Sequence, residues 1–444
     1  MRFVWVFSAL VLLLGSCHPT GPGTERWVYR LYDRNGSGAS ASAVVFAGDG
    51  IAYVAGRTQQ TIVVTALNSV GVEQWRYQFD TLATGALDVS CLTLGKDGNL
   101  YVAGKNENYG STEPKFLVSS LTAAGVFRWT YLRADSSGLY GNGAASVVCG
   151  DDGNIYAAGA LHGSFAVVSL TADGQLRWTY ERANPNGITT SASQVIWGTD
   201  GNLYAGGTLP YSLPAEIGIV SLTPEGDERW TYSRPDLFSM YGTAVSLAQG
   251  ADGNLYAAGG SSWHRDSVYS SRVAIVSVAP DGWERWVKTY AAADADYYGK
   301  GSCALVCGSD ENVYLVYYPP ADSGYFTSRF SVISLNSDGE ENWRYATAET
   351  LSYAAAPAIL LGGEGSVYCS GSFDAGNEFG VISLTSSGAL RWKYRFATGL
   401  FGSYSNARAI AWSNGTVCGV GDADGYNVGQ YLLVVSLDAA SGGD

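Results

Sequence analysis

The chain has 444 residues, a formal net charge of −14, 46% hydrophobic residues and 15% charged residues. Disordered chains have few apolar residues and many charges, so this composition excludes disorder. Nucleic-acid binding needs a basic surface, so the acidic net charge excludes nucleic-acid binding as a main function. The 57 glycines and the 13% aromatic residues favour β-structure.

The first seventeen residues predict an export signal. Arg2 precedes the apolar run Phe3–Leu14, which is shorter than the ~20 residues that a membrane-spanning helix needs. The run ends in Leu14-Gly15-Ser16-Cys17, which resembles a bacterial lipobox. This resemblance implies a lipoprotein signal peptide at 1–16 and lipidation of Cys17. Ordinary secretion with an incidental cysteine is the alternative.

Residues 17–25 are then the lipid anchor and a short tether that contains proline and glycine. His18 follows Cys17, where an aspartate can signal inner-membrane retention in some bacteria. We therefore expect a cell-envelope protein, in the outer membrane if the organism has one. We expect the lipid to be its only contact with the membrane.

A single strand, Arg26-Trp27-Val28-Tyr29, comes next, and a repeated unit follows it. Each unit has a glycine turn with a strand after it, as in Gly153-Asn154-Ile155-Tyr156, then an apolar strand and a tryptophan strand. The turn glycines and their looser equivalents are at Gly50, Gly98, Gly153, Gly201, Gly253, Glu311, Gly365 and Gly415. The tryptophans are Trp75, Trp129, Trp178, Trp230, Trp286, Trp343 and Trp392, with Trp27 as the eighth.

The repeat length predicts the architecture. Gly50 and Gly415 are 365 residues and seven repeats apart, about 52 residues per repeat. Four short strands with their turns fill that length, as in a propeller blade. The eighth unit lacks a tryptophan strand, which residues 26–30 can supply beside 431–437. We predict an all-β fold, a monomeric eight-bladed β-propeller over 26–438, closed by its N-terminal strand, with a tail at 439–444. We predict that the tryptophans pack between blades.

The segment Val168–Trp178 resembles the repeat of quinoprotein-like (PQQ-like) β-propellers. SBBP-type and kelch-type bacterial repeats share its hydrophobic strand and glycine, and the layout is similar to that of the BamB scaffold lipoprotein. Quinoprotein enzymes hold PQQ with calcium, a catalytic aspartate and often a disulfide between adjacent cysteines. This chain has no adjacent cysteine pair, and no segment matches their calcium or catalytic motifs.

Signatures of catalysis are missing from the sequence. Its three histidines form no zinc motif, and neither a G-x-S-x-G elbow nor a P-loop is present. Asp422–Asn427 has calcium-loop spacing, but Leu433 stands in place of the final glutamate, so we interpret it as a solvated turn. The six cysteines after Cys17 are irregularly placed and favour small buried residues over a disulfide framework. We predict no catalytic residue, no metal and no cofactor.

The binding face is predicted from the loops. The first and third connections of each blade are tight, whereas the second and fourth are long and lie on the opposite face, including 105–115, 208–216, 260–272, 289–300 and 319–330. Function concentrates in long loops on a rigid frame. Aromatic residues suited to glycans or polypeptides occur there: Trp263, Tyr211, Tyr269, Tyr325 and Phe326 in the longer loops, and Tyr140, Tyr241, Tyr298, Tyr353 and Tyr404 at one register near the channel mouth. The second group also fits simple packing between blades.

These features favour a non-enzymatic, lipid-anchored scaffold that binds an envelope protein through its long-loop face. A glycan-binding surface lipoprotein is one alternative, because loops rich in tyrosine, tryptophan and aspartate can bind either glycans or proteins. A PQQ-dependent dehydrogenase-like enzyme is the second alternative.

Overall fold

The computed structural model describes most of the chain. The described ranges are 22–33, 38–58, 61–79, 86–107, 115–134, 143–182, 190–209, 215–239, 245–265, 268–292, 303–321, 324–349, 356–363, 365–373, 378–396, 405–425 and 429–439. Within these ranges no helix is long and apolar enough to cross a membrane.

The chain folds into eight four-stranded antiparallel sheets, which are the blades of a propeller. Strand β1 (Glu25–Tyr32) belongs to the last blade. Blade 1 has β2 (Ala39–Phe46), β3 (Ala52–Thr58), β4 (Thr61–Leu67) and β5 (Glu73–Gln78); blade 2 has β6 (Ala86–Leu94), β7 (Asn99–Glu107), β8 (Lys115–Thr122) and β9 (Phe127–Ala134); blade 3 has β10 (Gly143–Cys149), β11 (Ile155–Leu161), β12 (Ser164–Leu170) and β13 (Leu176–Arg182). Blade 4 has β14 (Ser191–Trp197), β15 (Leu203–Leu209), β16 (Ala215–Leu222) and β17 (Glu228–Ser239); blade 5 has β18 (Val245–Gln249), β19 (Leu255–Arg265), β20 (Val268–Val278) and β21 (Glu284–Ala292).

The last three blades follow the same plan. Blade 6 has β22 (Cys303–Cys307) and β23 (Val313–Tyr317), then a small hairpin of β24 (Pro320–Ala321) and β25 (Gly324–Ser328), then β26 (Ser331–Leu335) and β27 (Glu341–Ala346). Blade 7 has β28 (Ala358–Leu361), β29 (Val367–Phe373), β30 (Glu378–Leu384) and β31 (Leu390–Phe396); blade 8 has β32 (Ser405–Ser413), β33 (Thr416–Gly425) and β34 (Gly429–Asp438), with β1 outermost.

The middle strands of each blade form the core. Every residue of β11 and β12 is buried, because neighbouring blades cover both faces of the sheet. The outermost strands are polar on their outer side. The innermost strands contact one another in order around the axis, and β32 contacts β2, so the ring is closed.

The N-terminal strand completes the ring as predicted. β1 pairs antiparallel with β34, with Val28 opposite Val435. Gly23 N donates to Asp438 O at 2.8 Å, and Asp438 N donates to Thr24 O at 2.9 Å. This pair of bonds reproduces the turn that joins the third and outermost strands in blade 1, where Gly71 N bonds Asn68 O and Asn68 N bonds Val72 O. The two ends of the ring therefore form this turn without a peptide connection.

The repeated tryptophans join each blade to the next, which confirms the prediction. Trp178 of blade 3 covers Gly226 of blade 4, and its indole N–H donates to Pro224 O at 2.9 Å. Gly226 has a φ of +97°, and a Cβ built there would lie 2.7 Å from the Trp178 ring, so only glycine fits. All eight tryptophans cover such a glycine: Trp27 on Gly71, Trp75 on Gly125, Trp129 on Gly174, Trp178 on Gly226, Trp230 on Gly282, Trp286 on Gly339, Trp343 on Gly388 and Trp392 on Gly23.

The tyrosine of the Trp-x-Tyr motif adds a polar bond between several neighbouring blades. Tyr180 Oη donates to Glu228 of the next blade at 2.6 Å. Burial and the nearby carboxylate raise the pKa of Tyr180 to about 12. Tyr394 of blade 7 makes the same bond to Glu25 of β1 at 2.9 Å. The N-terminal strand is therefore fastened to blade 7 as well as to its own blade.

A hydrogen-bonded corner, in which an aspartate at the surface contacts a buried tyrosine, also repeats within the blades. Asp152 accepts hydrogen bonds from Tyr156 Oη at 2.5 Å and from the Asn154 amide nitrogen at 2.8 Å. Arg177 NH1 donates to the Tyr156 hydroxyl at 3.1 Å. The same aspartate, asparagine and tyrosine arrangement occurs at Asp97, Asp200, Asp252 and Asp310. Part of the acidic charge of the chain is therefore structural.

Antiparallel pairing places the connections of each blade on two faces. The short-turn face carries the first and third connections, and the long-connection face carries the second connections and the links between blades. The prediction that every second connection is long is wrong. In blade 3 it is the two-residue turn His162-Gly163, and in blade 1 it is residues 59–60. His162 has a φ of +51°, which this tight turn requires.

Candidate functional site

Four predicted binding residues lie on two neighbouring blades of the long-connection face. Trp263 and Tyr269 were expected in a loop, but they lie in paired strands, because β19 and β20 continue as a ladder to Arg265 opposite Val268. Tyr325 lies with Phe326 in β25 of the small hairpin in blade 6. The structure describes the backbone of these four residues and not their side chains. Two β-hairpins therefore project from blades 5 and 6 where the sequence predicts loops.

The other predicted positions lie outside the described residues. They are Tyr140, Tyr211, Tyr241, Tyr298, Tyr353 and Tyr404 and the lipidation candidate Cys17.

A polar cluster that the sequence analysis missed lies in blade 8. Asp422 of β33 is fully buried and accepts hydrogen bonds from Arg408 Nε and Gln430 Nε2, each at 2.6 Å. Asn406 Nδ2 donates to it at 3.3 Å. The interpretation of Asp422 as part of a solvated turn is therefore wrong. Asp422 to Gly425 belong to strand β33, and three donors compensate the burial of the Asp422 carboxylate.

Arg408 is presented by a β-bulge in innermost strand β32. Ala407 pairs with Gly421 and Ala409 pairs with Val420, so Arg408 is the extra residue between them. Its side chain is 45% exposed. A bulge at the same register of four other innermost strands presents Ser42, Ser90, Ala145 and Ser193. Arg408 is thus the basic member of a set of otherwise small, uncharged bulge residues that border the axis.

A repeated glycine makes this bulge possible. Gly421 of β33 lies so close to β32 that a Cβ built on it would overlap Asn406 O, and the same is true of Gly56, Gly104, Gly159 and Gly207 in their blades. Each of these glycines comes four residues after the start of the buried part of its strand, as in Leu100-Tyr101-Val102-Ala103-Gly104. This spacing was the available sequence signal for the bulges, but it is not sufficient, because Leu255–Gly259 of blade 5 shares it and pairs with β18 without a register shift.

The cluster can hold an oxyanion. Asp422 fixes Nε of Arg408, and among the described residues the two terminal nitrogens of Arg408 have no hydrogen-bond partner in the protein. A guanidinium with two free parallel donors matches a carboxylate or a sulfate-like group. Arg408 is the one basic residue within the described innermost strands. It lies three residues after the start of β32, at the end of the strand nearest the long-connection face.

The described parts of the chain contain no group of three or more His, Cys, Asp or Glu side chains placed to hold a metal ion. The six cysteines there are free, and burial raises the pKa of the Cys303 and Cys307 thiols to about 12. Thiols with such pKa values are poor nucleophiles at neutral pH.

Comparisons with known proteins give matches among solved structures but none among family models or curated sequences. No protein-family model and no curated protein sequence matches the chain. Among solved structures, the chain is similar to the dihydro-heme d1 dehydrogenase NirN, with a TM-score of 0.49 and 11% identity over 94% of this chain and 79% of that one. It is similar to an ulvan lyase of polysaccharide lyase family PL25 (TM-score 0.45, 10% identity, 83% and 96% covered) and to Drosophila Plexin A (TM-score 0.44, 9% identity, 95% and 88% covered). The assignment as an eight-bladed propeller therefore depends on the strand pairing of the chain itself.

Proposed function

We propose that the protein is a lipid-anchored β-propeller of the cell envelope that acts as a non-enzymatic scaffold. It binds a protein partner through its long-connection face. The lipobox at Leu14–Cys17 supplies the anchor in this proposal.

The observation that carries the proposal is where the N-terminal segment joins the ring. Gly23 and Thr24 are bonded to Asp438 at the start of β1, on the short-turn face. Cys17 is six residues earlier, so it lies within about 20 Å of Gly23 even if the segment is fully extended. A seven-residue strand adds roughly 23 Å between the two faces. The anchor therefore holds the short-turn face near the membrane and leaves the long-connection face open to a partner.

The long-connection face offers two kinds of contact. The hairpins of blades 5 and 6 carry Trp263, Tyr269, Tyr325 and Phe326, and aromatic residues of this kind are enriched at protein interfaces. Arg408 lies near the axis and suits a carboxylate of the partner. A large apolar and aromatic contact with one charged anchor is a common arrangement in protein recognition.

The test is a pull-down of the lipidated protein after cross-linking in intact cells. We expect one stoichiometric protein partner, which is lost when Trp263 and Tyr325 are replaced by alanine. Arg408→Gln should weaken capture, whereas Arg344→Gln should not. Arg344 is the matched control because its side chain is 41% exposed and bonds one carboxylate, on Glu341, but it lies on the outermost strand of blade 6.

Other outcomes would reject the scaffold. Turnover of a substrate by the purified protein, abolished by a change on the long-connection face, would make it an enzyme. A specific hit on a glycan array together with an empty pull-down would make it a glycan-binding protein.

A further inference from the structure

The third connections of the blades, here called the outer turns, divide into two sectors by charge. The outer turns of blades 3 to 6 carry exposed carboxylates: Asp173, Glu225, Asp227, Asp281, Asp338 and Glu340. The outer turns of blades 1, 2 and 7 are residues 68–72, 123–126 and 385–389, and these contain no charged residue. Blade 8 has Asp438 in this position, where it is paired with Arg26 at 3.4 Å. Blades 7, 8, 1 and 2 are consecutive around the ring and form what we call the uncharged sector.

Large apolar side chains are exposed in the uncharged sector. Val70 is 67% exposed, Val72 55%, Val126 61%, Phe127 44% and Leu390 47%. All five lie in outer turns or in the first residue of the outermost strand. Leu176 and Trp283 are exposed as well, but their turns in blades 3 and 5 also carry Asp173 and Asp281. Exposed apolar residues in outer turns that themselves carry no charge therefore concentrate on one side of the short-turn face. Charged residues flank them, with Glu73 after Val72, Glu25 and Arg26 in blade 8, and Asp49, Lys96 and Asp97 in the first turns of blades 1 and 2.

The N-terminal segment leaves the ring in the middle of this sector. Gly23 lies against Trp392 of blade 7, and Trp27 lies against Gly71 of blade 1. Residues 22–24 are thus held between the apolar turn of blade 1 and that of blade 7. An anchor at Cys17 brings the uncharged sector to the membrane before any other part of the propeller.

We propose that the uncharged sector lies directly on the lipid surface to which the chain is anchored, so that the ring is tilted. This inference rests on the proposed lipid anchoring. It adds a second contact to the expected acyl contact, through Val70, Val126, Leu390 and their neighbours. Insertion of exposed apolar side chains at the boundary between headgroups and acyl chains lowers the free energy, because it removes their surface from water. The carboxylates of blades 3 to 6 are repelled by anionic headgroups, which lifts the opposite side of the ring.

The test uses the full-length lipidated protein on vesicles of phosphatidylethanolamine and phosphatidylglycerol. One variant carries Val126→Cys and the other Trp283→Cys, each labelled with an environment-sensitive dye. The two residues occupy the same place in the outer turns of blades 2 and 5, which lie in different sectors, and their side chains are 61% and 76% exposed. We expect a blue shift and quenching by lipid-borne quenchers at position 126 and not at position 283. Val70→Asp should abolish the signal at 126 without releasing the protein.

The possible failures are distinguishable. Equal signals at the two positions overturn the tilted contact alone. So does the absence of a signal at position 126 in protein that floats with the vesicles and whose lipidation at Cys17 is shown by mass spectrometry. A protein that carries no acyl chain and does not float overturns both the anchoring and this contact.

Discussion

Replacement of Gly226 by alanine tests the contact that holds neighbouring blades together. Gly226 has a φ of +97°, and a methyl group there would lie 2.7 Å from the Trp178 ring. Alanine in the left-handed region costs about 1–2 kcal/mol. An extra methyl group in a packed contact costs roughly 1–3 kcal/mol more. We therefore expect Gly226→Ala to lower the free energy of unfolding by roughly 2–5 kcal/mol.

The matched control is Gly253→Ala. Gly253 has a φ of +78°, but no heavy atom lies within 4 Å of a Cβ built on it. It therefore incurs the conformational cost of about 1–2 kcal/mol alone. Urea unfolding followed by circular dichroism gives both values, provided that the dependence on urea is the same. Equal losses in the two variants would refute the claim that the tryptophan contact excludes every residue except glycine.

Three further predictions follow from the fold. Burial opposes ionisation of Asp152, but hydrogen bonds from Tyr156 and Asn154 and the charge of Arg177 outweigh it and lower its pKa. The ionised Asp152 therefore stabilises the fold above about pH 4, and this stabilisation is lost as the pH falls through the lowered pKa. In urea unfolding, Asp152→Asn should be less stable than wild type at pH 7, and the difference in the free energy of unfolding should shrink below about pH 4. A constant difference would contradict this reasoning. The Cys303 and Cys307 thiols of the native protein should not react with a disulfide reagent at pH 8, because burial raises their pKa values to about 12, and rapid reaction of Cys303 would show that blade 6 is open. Deletion of residues 22–32 exposes the edge of β34 and should give oligomers by light scattering, whereas deletion of 440–444 should leave a monomer; a monomeric product of the first deletion would contradict closure by β1.

The sequence allowed the fold to be predicted because the determining features are local and repeat eight times. The glycine turns and the tryptophan strands give the number of blades and the register of closure. The missing tryptophan strand after Leu437 and the spare one at Trp27 predicted that β1 pairs with β34, and the structure confirms it.

The candidate site could not be predicted because it depends on contacts that do not repeat. Asp422 has the spacing of a loop residue in the sequence, but it is buried because Arg408, 14 residues earlier, reaches it from a bulge. The sequence pattern likewise does not show that β19 and β20 extend past Gly260, because Ser261, Ser262, His264 and Arg265 are polar and resemble a loop. Both features arise from pairing between adjacent strands, and no residue pattern that repeats from blade to blade marks them.

Two tryptophan positions of blade 5 distinguish the two faces of the propeller as the place where a protein partner binds. Position 263 is in the hairpin on the long-connection face, and position 283 is in the outer turn on the opposite face. A photo-activated cross-linking residue is placed at one position or the other in the lipidated protein in intact cells. We expect a single protein adduct from position 263 and none of it from position 283. The same adduct from both positions, or no protein adduct from position 263, would rule out binding through the long-connection face.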